Sequence, residues 1–355
     1  MSQRHGPGWK RLLNNPVLRR RLETRGRILR ALREFFWKEG FLEIDVPVLV
    51  PLPGMEPHLK PIPVSVRTGQ GERVRFYLHT SPEYALKKLL TAGYERIFSL
   101  THAFRDAEVS TTHNPEFTLL EWYRAGSDTS ALMRDCENLF LAVADQLGFG
   151  ASLRYLGETI DLRPPWPRLT VAEATREFAG VEISGRTSLE ELVEIARRKG
   201  YHEATTDWPW DDVFFLIFLN EVEPRFPKDR PLFLTDYPVQ MGALARRKPG
   251  DPATVERFEL YVGGLELANA FGELTDSAEQ RERLERERDL RRKLGHEVYP
   301  VDESFLEALE EGMPSAAGIA LGVDRLVMLF TDAPRISDVL AFPFEALLED
   351  LRKSG

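Results

Sequence analysis

The apolar positions of the chain follow two different periods, which predict both helices and strands. Through residues 17–38 they recur at the spacing of one helical face, and Gly40 then supplies a stop before an extended segment that leads to Pro47. Further helices are predicted at residues 82–90, 130–147 and 277–294. Strands are predicted at residues 75–79, 232–234 and 257–262.

Two stretches interrupt this pattern. Residues 51–63 are rich in proline and predict a loop. Residues of about 150–235 mix helical runs with Trp208-Pro209-Trp210, and we interpret them as a mainly helical insertion that covers the core. The longest apolar run, Val213–Leu219, is too short to cross a bilayer and predicts a buried helix.

Length and composition indicate a compact protein of a reducing compartment. A chain of 355 residues that is 43% hydrophobic can bury a large core. Its one cysteine, Cys136, excludes an internal disulfide, and the opening residues Met1–Gly8 lack the apolar segment of a signal peptide. We therefore expect a cytoplasmic protein that does not associate with membranes.

The charge pattern limits binding of nucleic acid to one part of the chain. A net charge of -9 argues against a broad surface that binds phosphates. Between Arg4 and Arg33, however, ten basic residues stand against one acidic residue, Glu23. The predicted first helix therefore either meets an acidic partner or RNA, or presents a solvated basic face.

Two distant segments carry residue types that suit a nucleotide. Phe104–Tyr123 reads as a strand, a loop and a strand, and it contains Arg105, Phe117 and several carboxylates. In Gly318–Arg325, small residues lead into an arginine at the start of an apolar helix. A planar guanidinium suits phosphate and an aromatic ring suits a base. Alone, Arg105 would be a salt-bridge residue and Phe117 a core aromatic, so the prediction depends on their joint spacing.

Two carboxylates flank a pair of glycines further along the chain. Glu259 and Glu266 lie on either side of Gly263-Gly264. If the glycines form a turn, both carboxylates converge on one Mg²⁺ that also holds ATP phosphates, because Mg²⁺ prefers hard oxygen ligands. Two carboxylates alone are a weak sign of a metal site.

Together these segments resemble motifs 1, 2 and 3 of the class II aminoacyl-tRNA synthetases, and the lysine-handling branch in particular. The order of helix, glycine, strand and proline at residues 38–49 resembles motif 1, and the two nucleotide segments resemble motifs 2 and 3. The resemblance implies an α+β fold, with a core of antiparallel strands flanked by helices. It also implies a homodimer formed through motif 1 and the use of ATP and Mg²⁺.

The resemblance implies the residues that contact ATP. Arg105 would hold the α-phosphate, and Phe117 and Arg325 would enclose the adenine, so Arg105 and Arg325 are the expected catalytic residues. Glu259 and Glu266 would hold the metal. The remaining ATP contacts would be Glu108, His113 and Asn114; the alternative for His113 is a solvated loop residue.

The resemblance also implies a pocket for an amino acid with two amines. Glu83 and Glu121 would face the backbone amino group, Tyr123 and Glu273 the terminal ammonium, and Asn269 the carboxylate region. Ser81 and Ala320 complete the expected lining. Such carboxylates discriminate against neutral amino acids, which leave them unpaired. The alternative is that Glu83 and Glu121 form structural pairs with Lys87, Lys88 or Arg124.

Among lysine-handling enzymes, the chain is most similar to the elongation factor P (R)-β-lysine ligases. Lysyl-tRNA synthetases carry an anticodon-binding domain ahead of the catalytic domain, whereas motif 1 here begins by residue 40. We therefore expect a single catalytic domain over residues 1–355, without an anticodon-binding domain. The expected substrates are lysine or (R)-β-lysine, with elongation factor P as acceptor rather than tRNA. The diagnostic strings are Ser81–Tyr84, His113–Tyr123, Arg257–Glu259 and Gly318–Met328.

Ala320 bears on the choice of amino acid. The synthetases commonly have glycine there and the ligases alanine, and one methyl group is worth roughly 1 to 3 kcal/mol of discrimination. The alternative is a packing role at the start of the helix. Other positions depart from the family pattern. The family normally has glutamate two residues after the arginine, where this chain has Ala107, and this change bears on an adenine or metal contact. Thr111, Thr112 and Ala270 predict weaker phosphate binding.

Two further functions stay open at this point. One is a truncated synthetase that acts on tRNA or on a small molecule. The other is a paralogue without catalysis that senses an amino acid or a nucleotide, for which Ala107 is the main argument. The strand that carries Arg105 would direct Glu108 to its other face, so Glu108 does not simply replace the missing glutamate.

Overall fold

The computed structural model describes residues 8–354. Arg4 and the start of the chain, on which the expectation of no signal peptide was based, lie outside the described residues. The helices are α1 (Pro16–Lys38), α2 (Glu83–Thr91), α3 (Thr129–Leu147), α4 (Val171–Ala179), α5 (Leu189–Arg198), α6 (Trp210–Ile217), α7 (Ser277–Lys293), α8 (Glu303–Glu310), α9 (Val323–Phe330) and α10 (Phe344–Ser354).

The strands include short edge segments as well as long central ones. They are β1 (Leu42–Glu43), β2 (Leu49–Val50), β3 (Ile62–Arg67), β4 (Arg73–Leu78), β5 (Arg96–Phe104), β6 (Glu116–Ala125), β7 (Ser152–Tyr155), β8 (Glu158–Asp161), β9 (Arg168–Thr170), β10 (Leu232–Pro238), β11 (Arg247–Lys248), β12 (Asp251–Val262), β13 (Leu265–Gly272) and β14 (Ala316–Gly322).

The long strands form one sheet in the order β1-β5-β6-β14-β13-β12-β10-β9, with β11 beside β12. In this order across the sheet, each pair of neighbours between β5 and β10 is antiparallel. The two edge strands, β1 and β9, pair in parallel with β5 and β10. Separate small sheets are formed by β2, β4 and β3 and by β7 and β8. The predicted α+β fold, with antiparallel strands flanked by helices, is confirmed.

Local sequence signals explain the first helix. Asn15 accepts a hydrogen bond from the Leu18 amide at 2.9 Å, and Pro16 occupies the first turn, where its missing N–H costs nothing. The helix ends at Lys38, and Gly40 follows at φ +76°, a conformation that favours glycine. Prediction and structure agree here to within one residue.

One face of the sheet packs against α1, α3 and α9. Phe36 of α1 stacks on Phe98 of β5 at 4.9 Å and contacts Trp122 of β6 at 5.1 Å between ring centroids, and all three side chains are fully buried. Because side chains alternate along a strand, the neighbours of Trp122, Glu121 and Tyr123, face the opposite side. That opposite side of the sheet carries the polar residues.

The basic residues of α1 are largely used within the chain itself. Arg25 binds Asp324 at 2.5 Å and the Thr118 hydroxyl at 2.7 Å. Further contacts are Arg21 with the Asp332 carbonyl at 2.9 Å, Arg27 with the Gln146 carbonyl at 2.8 Å, and Arg33 with Glu43 at 2.8 Å. From the sequence, the basic residues of this helix were predicted either to meet an acidic partner or RNA, or to form a solvated face. In the structure, these four arginines instead bind α1 to the sheet, α3 and α9.

The segment predicted as an insertion has more strand than expected. Besides α4, α5 and α6 it holds the β7–β8 hairpin, and β9 joins the main sheet beside β10. Its apolar run is buried through Val213, Phe214 and Ile217, and a π-helical turn, Phe218–Val222, continues α6. That the segment is an insertion stays a prediction. No helix within residues 8–354 is long and apolar enough to span a membrane.

Candidate active site

A cavity of about 770 Å³ lies over the polar face of the central strands. Pockets of about 300 to 1,000 Å³ accommodate small ligands and cofactors, so this one has room for a nucleotide and an amino acid together. Its lining unites segments that are distant in sequence. The lining residues include most of the predicted site residues: Ser81, Glu83, Arg105, Glu108, His113, Asn114, Phe117, Glu121, Tyr123, Glu266, Asn269, Glu273, Ala320 and Arg325.

Strand register aligns the floor of the cavity. Glu121 on β6 lies opposite Ala320 on β14, which in turn lies opposite Asn269 on β13. Two residues along, Tyr123 lies opposite Gly318. Residues two apart on a strand point to the same face, so the predicted amino-acid ligands share one surface.

Gly318 is the small residue that lets two of these side chains meet. A Cβ atom built at this position would lie far inside van der Waals contact with Tyr123 Cε1 and Glu273 Oε1. The signal was present in the sequence as the small residues of Gly318–Arg325, although it was interpreted there only as a motif.

Glu121 is held from two sides. Tyr123 donates to its Oε1 at 2.6 Å and Ser81 donates to its Oε2 at 2.7 Å, and the carboxylate is 1% exposed. Burial, and then the nearby charge of Glu83, raise the pKa of Glu121 to about 8. The Ser81 hydroxyl also accepts a hydrogen bond from the Glu83 amide at 3.1 Å. The helix α2 begins at Glu83, one residue after the predicted start at Pro82.

Lys87 lies beneath the same pocket. Its Nζ is 2.5 Å from Glu83 Oε1 and 2.6 Å from Glu273 Oε2, and the side chain is fully buried. The pairing of Glu83 with Lys87 is one of the alternatives that the sequence left open. The second contact, with Glu273, was missed. Burial raises the pKa of Glu273 to about 7, while the charge of Lys87 opposes that rise.

The arginine of the β5–β6 hairpin lies against Phe117, the ring that is predicted to stack on adenine. The Arg105 guanidinium is 5.0 Å from the Phe117 ring centroid, and its Nη1 is 3.8 Å from Glu108 Oε2. β5 ends at Phe104, and Ala107 occupies a turn at φ +63°. The expectation that Glu108 points away along a regular strand is therefore wrong, because the turn returns Glu108 to the cavity beside Arg105.

Arg325 is fixed by the loop of that hairpin. It donates to the Glu266 carbonyl at 2.6 Å and contacts His113 Nε2 at 2.7 Å. A guanidinium can only donate, so Nε2 accepts and the ring proton sits on Nδ1, 2.8 Å from Ser110 Oγ. Burial, followed by the charges of Arg325 and Arg105, lowers the pKa of His113 to about 4, so the ring is neutral at pH 7.

Asn114 connects the loop of the β5–β6 hairpin to the start of α10. It donates to the Glu116 carbonyl at 2.6 Å and accepts from the Phe344 amide at 2.9 Å. Both ends of its amide are thus bound to backbone groups, and its predicted contact with ATP stays a prediction.

The glycine pair forms the predicted turn between β12 and β13, with φ values of +61° and +81°. Glu259 accepts from Arg257 and from Tyr261, each at 2.7 Å, and is 7% exposed. Glu266 lines the cavity, and enclosure there, then the charge of Glu259, raise its pKa to about 7. Glu259 itself does not line the cavity, and its contact with Mg²⁺, like that of Glu266, stays a prediction.

Sequence reasoning missed several groups around the cavity. Arg257 lines the wall and donates to Asn269 Oδ1 at 3.1 Å, which leaves the Asn269 amino group as a donor toward the cavity. Glu223, from the segment before β10, lies near Glu259, and burial, then that charge, raise its pKa. Arg257 was marked in the sequence only as part of the string Arg257–Glu259, without a role in the site, and no local pattern marks Glu223, which reaches Glu259 through tertiary packing.

The rim of the cavity also joins distant segments. His58, from the proline-rich loop, lies with its Nε2 3.1 Å from Oδ2 of Asp211 on α6. Two further carboxylates line the wall, Glu56 and Glu287, and burial raises the pKa of Glu287 to about 8, with Glu56 adding to the rise. The cavity lining therefore contains an unusual number of carboxyl groups.

This antiparallel sheet, with an arginine-bearing hairpin and an arginine at the head of α9, is that of a class II synthetase catalytic domain. The chain belongs to the family described as tRNA synthetases class II (D, K and N), which matches residues 9–346. It is similar to the lysine–tRNA ligases of Pelotomaculum thermopropionicum, at 38% identity over 333 residues, and Moorella thermoacetica, at 38% over 332 residues.

A third relative, the lysine–tRNA ligase of Clostridium perfringens strain SM101, is 36% identical over 335 residues. Each alignment covers 94% of this chain, but only 65% of the Pelotomaculum protein and 66% of the other two. The chain thus spans about two thirds of the length of these relatives.

Proposed function

We propose that the protein uses ATP to activate lysine or (R)-β-lysine as an adenylate and transfers it to a lysine side chain of elongation factor P. One observation carries the amino-acid part: Glu83, Glu121 and Glu273 line the same cavity as Arg105 and Arg325. Acidic groups suit the two ammonium groups of a diamino acid, and arginines suit phosphate.

In the first step, a carboxylate oxygen of the amino acid attacks the α-phosphorus of ATP. A new P–O bond forms, the bond to the β-phosphate oxygen breaks, and pyrophosphate leaves. Arg105 would stabilise the charge that develops on the α-phosphate, and Phe117 would stack on the adenine. Asn269, oriented by Arg257, would donate to the carboxylate region.

Glu259 and Glu266, with Glu223 nearby, are the residues that would hold Mg²⁺. When bound, the metal supplies positive charge to the phosphate oxygens. The neutral His113 would lie close to the phosphates as an uncharged ring that keeps Arg325 in place.

In the second step, an acceptor amine attacks the carbonyl carbon of the adenylate, AMP leaves, and the amine loses one proton. The assignment of elongation factor P as acceptor, like the preference for (R)-β-lysine suggested by Ala320, rests on the motif resemblance. Dimerisation through motif 1 is part of the same proposal. Exposed Trp37 and Leu42, which are 53% and 50% accessible in that region, support it.

The test is intact-mass analysis of elongation factor P after incubation with this protein, ATP, Mg²⁺ and each lysine isomer. We expect a mass increase of one lysyl residue, and a larger yield with one isomer would define the substrate. An unmodified factor, in the presence of amino-acid-dependent exchange of pyrophosphate into ATP, would reject this acceptor while keeping the activation step.

The relatives support a second candidate acceptor. Because they are lysine–tRNA ligases, the same adenylate could be transferred to tRNA. Aminoacylation of tRNA in a filter assay, with elongation factor P unmodified, would favour that acceptor. Failure of exchange with either isomer, despite measurable binding of ATP, would instead favour a sensor without catalysis.

A further inference from the structure

A buried cation sits beneath the amino-acid pocket, where the proposed substrate is itself cationic. Lys87 is 1% exposed, and its Nζ contacts Glu83 Oε1 at 2.5 Å and Glu273 Oε2 at 2.6 Å. Both glutamates line the cavity. An internal ammonium therefore already occupies one oxygen of each carboxylate that the substrate is expected to use.

The remaining oxygens are available to a ligand. Glu273 Oε1 is buried and has no hydrogen-bond partner within residues 8–354, and it lies beside Gly318, which also lines the cavity. Glu83 Oε2 receives no hydrogen bond from any residue in the described part of the chain, since the Lys87 contact uses Oε1. Buried carboxylate oxygens normally have partners, so the open Oε1 of Glu273 indicates a binding role, while Glu83 is half-buried and offers its Oε2 at the cavity wall.

We propose that Lys87 is a positioning residue of the amino-acid pocket: it holds one oxygen of Glu83 and one of Glu273, and so presents their other oxygens to the ammonium groups of a diamino acid. This inference rests on the proposed function. Lys87 itself does not line the cavity. Its position on α2, one turn after Glu83, makes the first contact an ordinary pair of residues four apart on a helix.

The charges around Lys87 explain the value of a fixed cation there, although Arg246, which pairs with Glu256 at 2.6 Å, also acts on Glu273. The acidic groups that face this region come from four other elements: Glu121 and Tyr123 on β6, Glu273 after β13, Glu56 in the proline-rich loop and Glu287 on α7. Without a cation, neighbouring buried carboxylates take up protons and become neutral. A neutral Glu273 could not pair with an ammonium group.

The experiment compares Lys87→Met with a matched control, Lys88→Met, on the same helix. Lys88 pairs with Asp302 at 3.0 Å, its side chain is 32% exposed, and it does not line the cavity. Amino-acid-dependent exchange of pyrophosphate into ATP is measured with lysine and with (R)-β-lysine from about pH 6 to 9. Binding of ATP alone is measured by calorimetry.

For Lys87→Met we expect kcat/KM for the diamino acid to fall at least about tenfold at pH 7, with the acid limb of its pH profile moved upward by about one pH unit or more. Activity should recover toward pH 9, as the glutamates ionise. ATP affinity should change less than about threefold, and Lys88→Met should match the unmodified protein in every measurement.

A purely structural role would lower activity equally at every pH, so an unmoved acid limb in a folded Lys87→Met protein overturns the inference. If that variant does not fold, Lys87→Gln, which keeps a polar side chain without the charge, replaces it, and the same alkaline shift is expected because Glu273 still lacks the Lys87 ammonium. Failure of both to fold, beside a folded Lys88→Met, would assign Lys87 to the fold instead. Absence of exchange in the unmodified protein would reject the proposed function as well.

Discussion

Removal of Arg25 should destabilise the protein far more than removal of any exposed arginine on the same helix. Arg25 Nη1 lies 2.5 Å from Asp324 Oδ1, while Asp324 Oδ2 accepts from the Thr118 amide at 2.7 Å. Asp324 is 2% exposed, so Arg25→Met would leave a buried carboxylate without its cation. Loss of one partner of a buried pair costs about 3 to 5 kcal/mol.

The Arg25 side chain keeps 15% of its accessible surface, so we expect the lower end of that range, about 3 kcal/mol of unfolding free energy. For a chain of 355 residues this corresponds to a decrease of about 4 °C in Tm. Because Asp324 precedes Arg325 at the start of α9, binding of ATP should weaken too.

The assay is unfolding in guanidinium chloride at pH 7, with Arg30→Met as control. Arg30 pairs with Glu34 at 3.3 Å, but its side chain is 75% exposed, so its loss should cost less than about 0.5 kcal/mol. The double variant Arg25→Met/Asp324→Asn should lose less than the two single changes combined, because the stranded charge is gone. Equal stability of Arg25→Met and Arg30→Met, within about 1 kcal/mol, would refute the reasoning.

Three further predictions concern the cavity. Phe117→Ala should raise the Kd for ATP by about fivefold to a hundredfold, since stacking of a base on an aromatic ring is worth about 1 to 3 kcal/mol; an unchanged Kd in calorimetry would remove Phe117 from the adenine site. Gly318→Ala should abolish exchange in a folded protein, because its methyl group would collide with Tyr123 and Glu273; normal activity would contradict the pocket geometry. Protonation of Glu273, whose pKa is about 7, removes the charge that pairs with an ammonium group. The kcat/KM for lysine should therefore fall about tenfold per pH unit below that pKa. For the same reason, the variant Glu273→Gln should lose amino-acid use but keep ATP binding.

The sequence predicted the elements that local patterns define. The spacing of apolar residues placed α1 to within one residue, and the glycine pair at Gly263-Gly264 correctly indicated a turn between strands. The hairpin that carries Arg105 and the helix headed by Arg325 were also predicted correctly as elements. In each case, the determining signal lies within a short stretch of chain.

The parts of the site that sequence did not predict depend on contacts between elements. The pairing of Lys87 with Glu83 follows from helical spacing, but its contact with Glu273 requires the packing of α2 against the end of β13. The turn at Ala107 replaced an expected regular strand and so reversed the inferred direction of Glu108. For the arginines on α1, the sequence left open an acidic partner or RNA and a solvated face, because nothing local shows that Asp324 lies beneath Arg25.

The contact of His58 with Asp211 has a consequence for protein engineering. One residue belongs to the loop between β2 and β3 and the other to α6, yet both line the rim of the cavity. Transplanting a loop that lacks an imidazole at the position of His58 would break this contact and leave Asp211 without it. In chimaeras of this family, the two segments should be swapped together as one cassette.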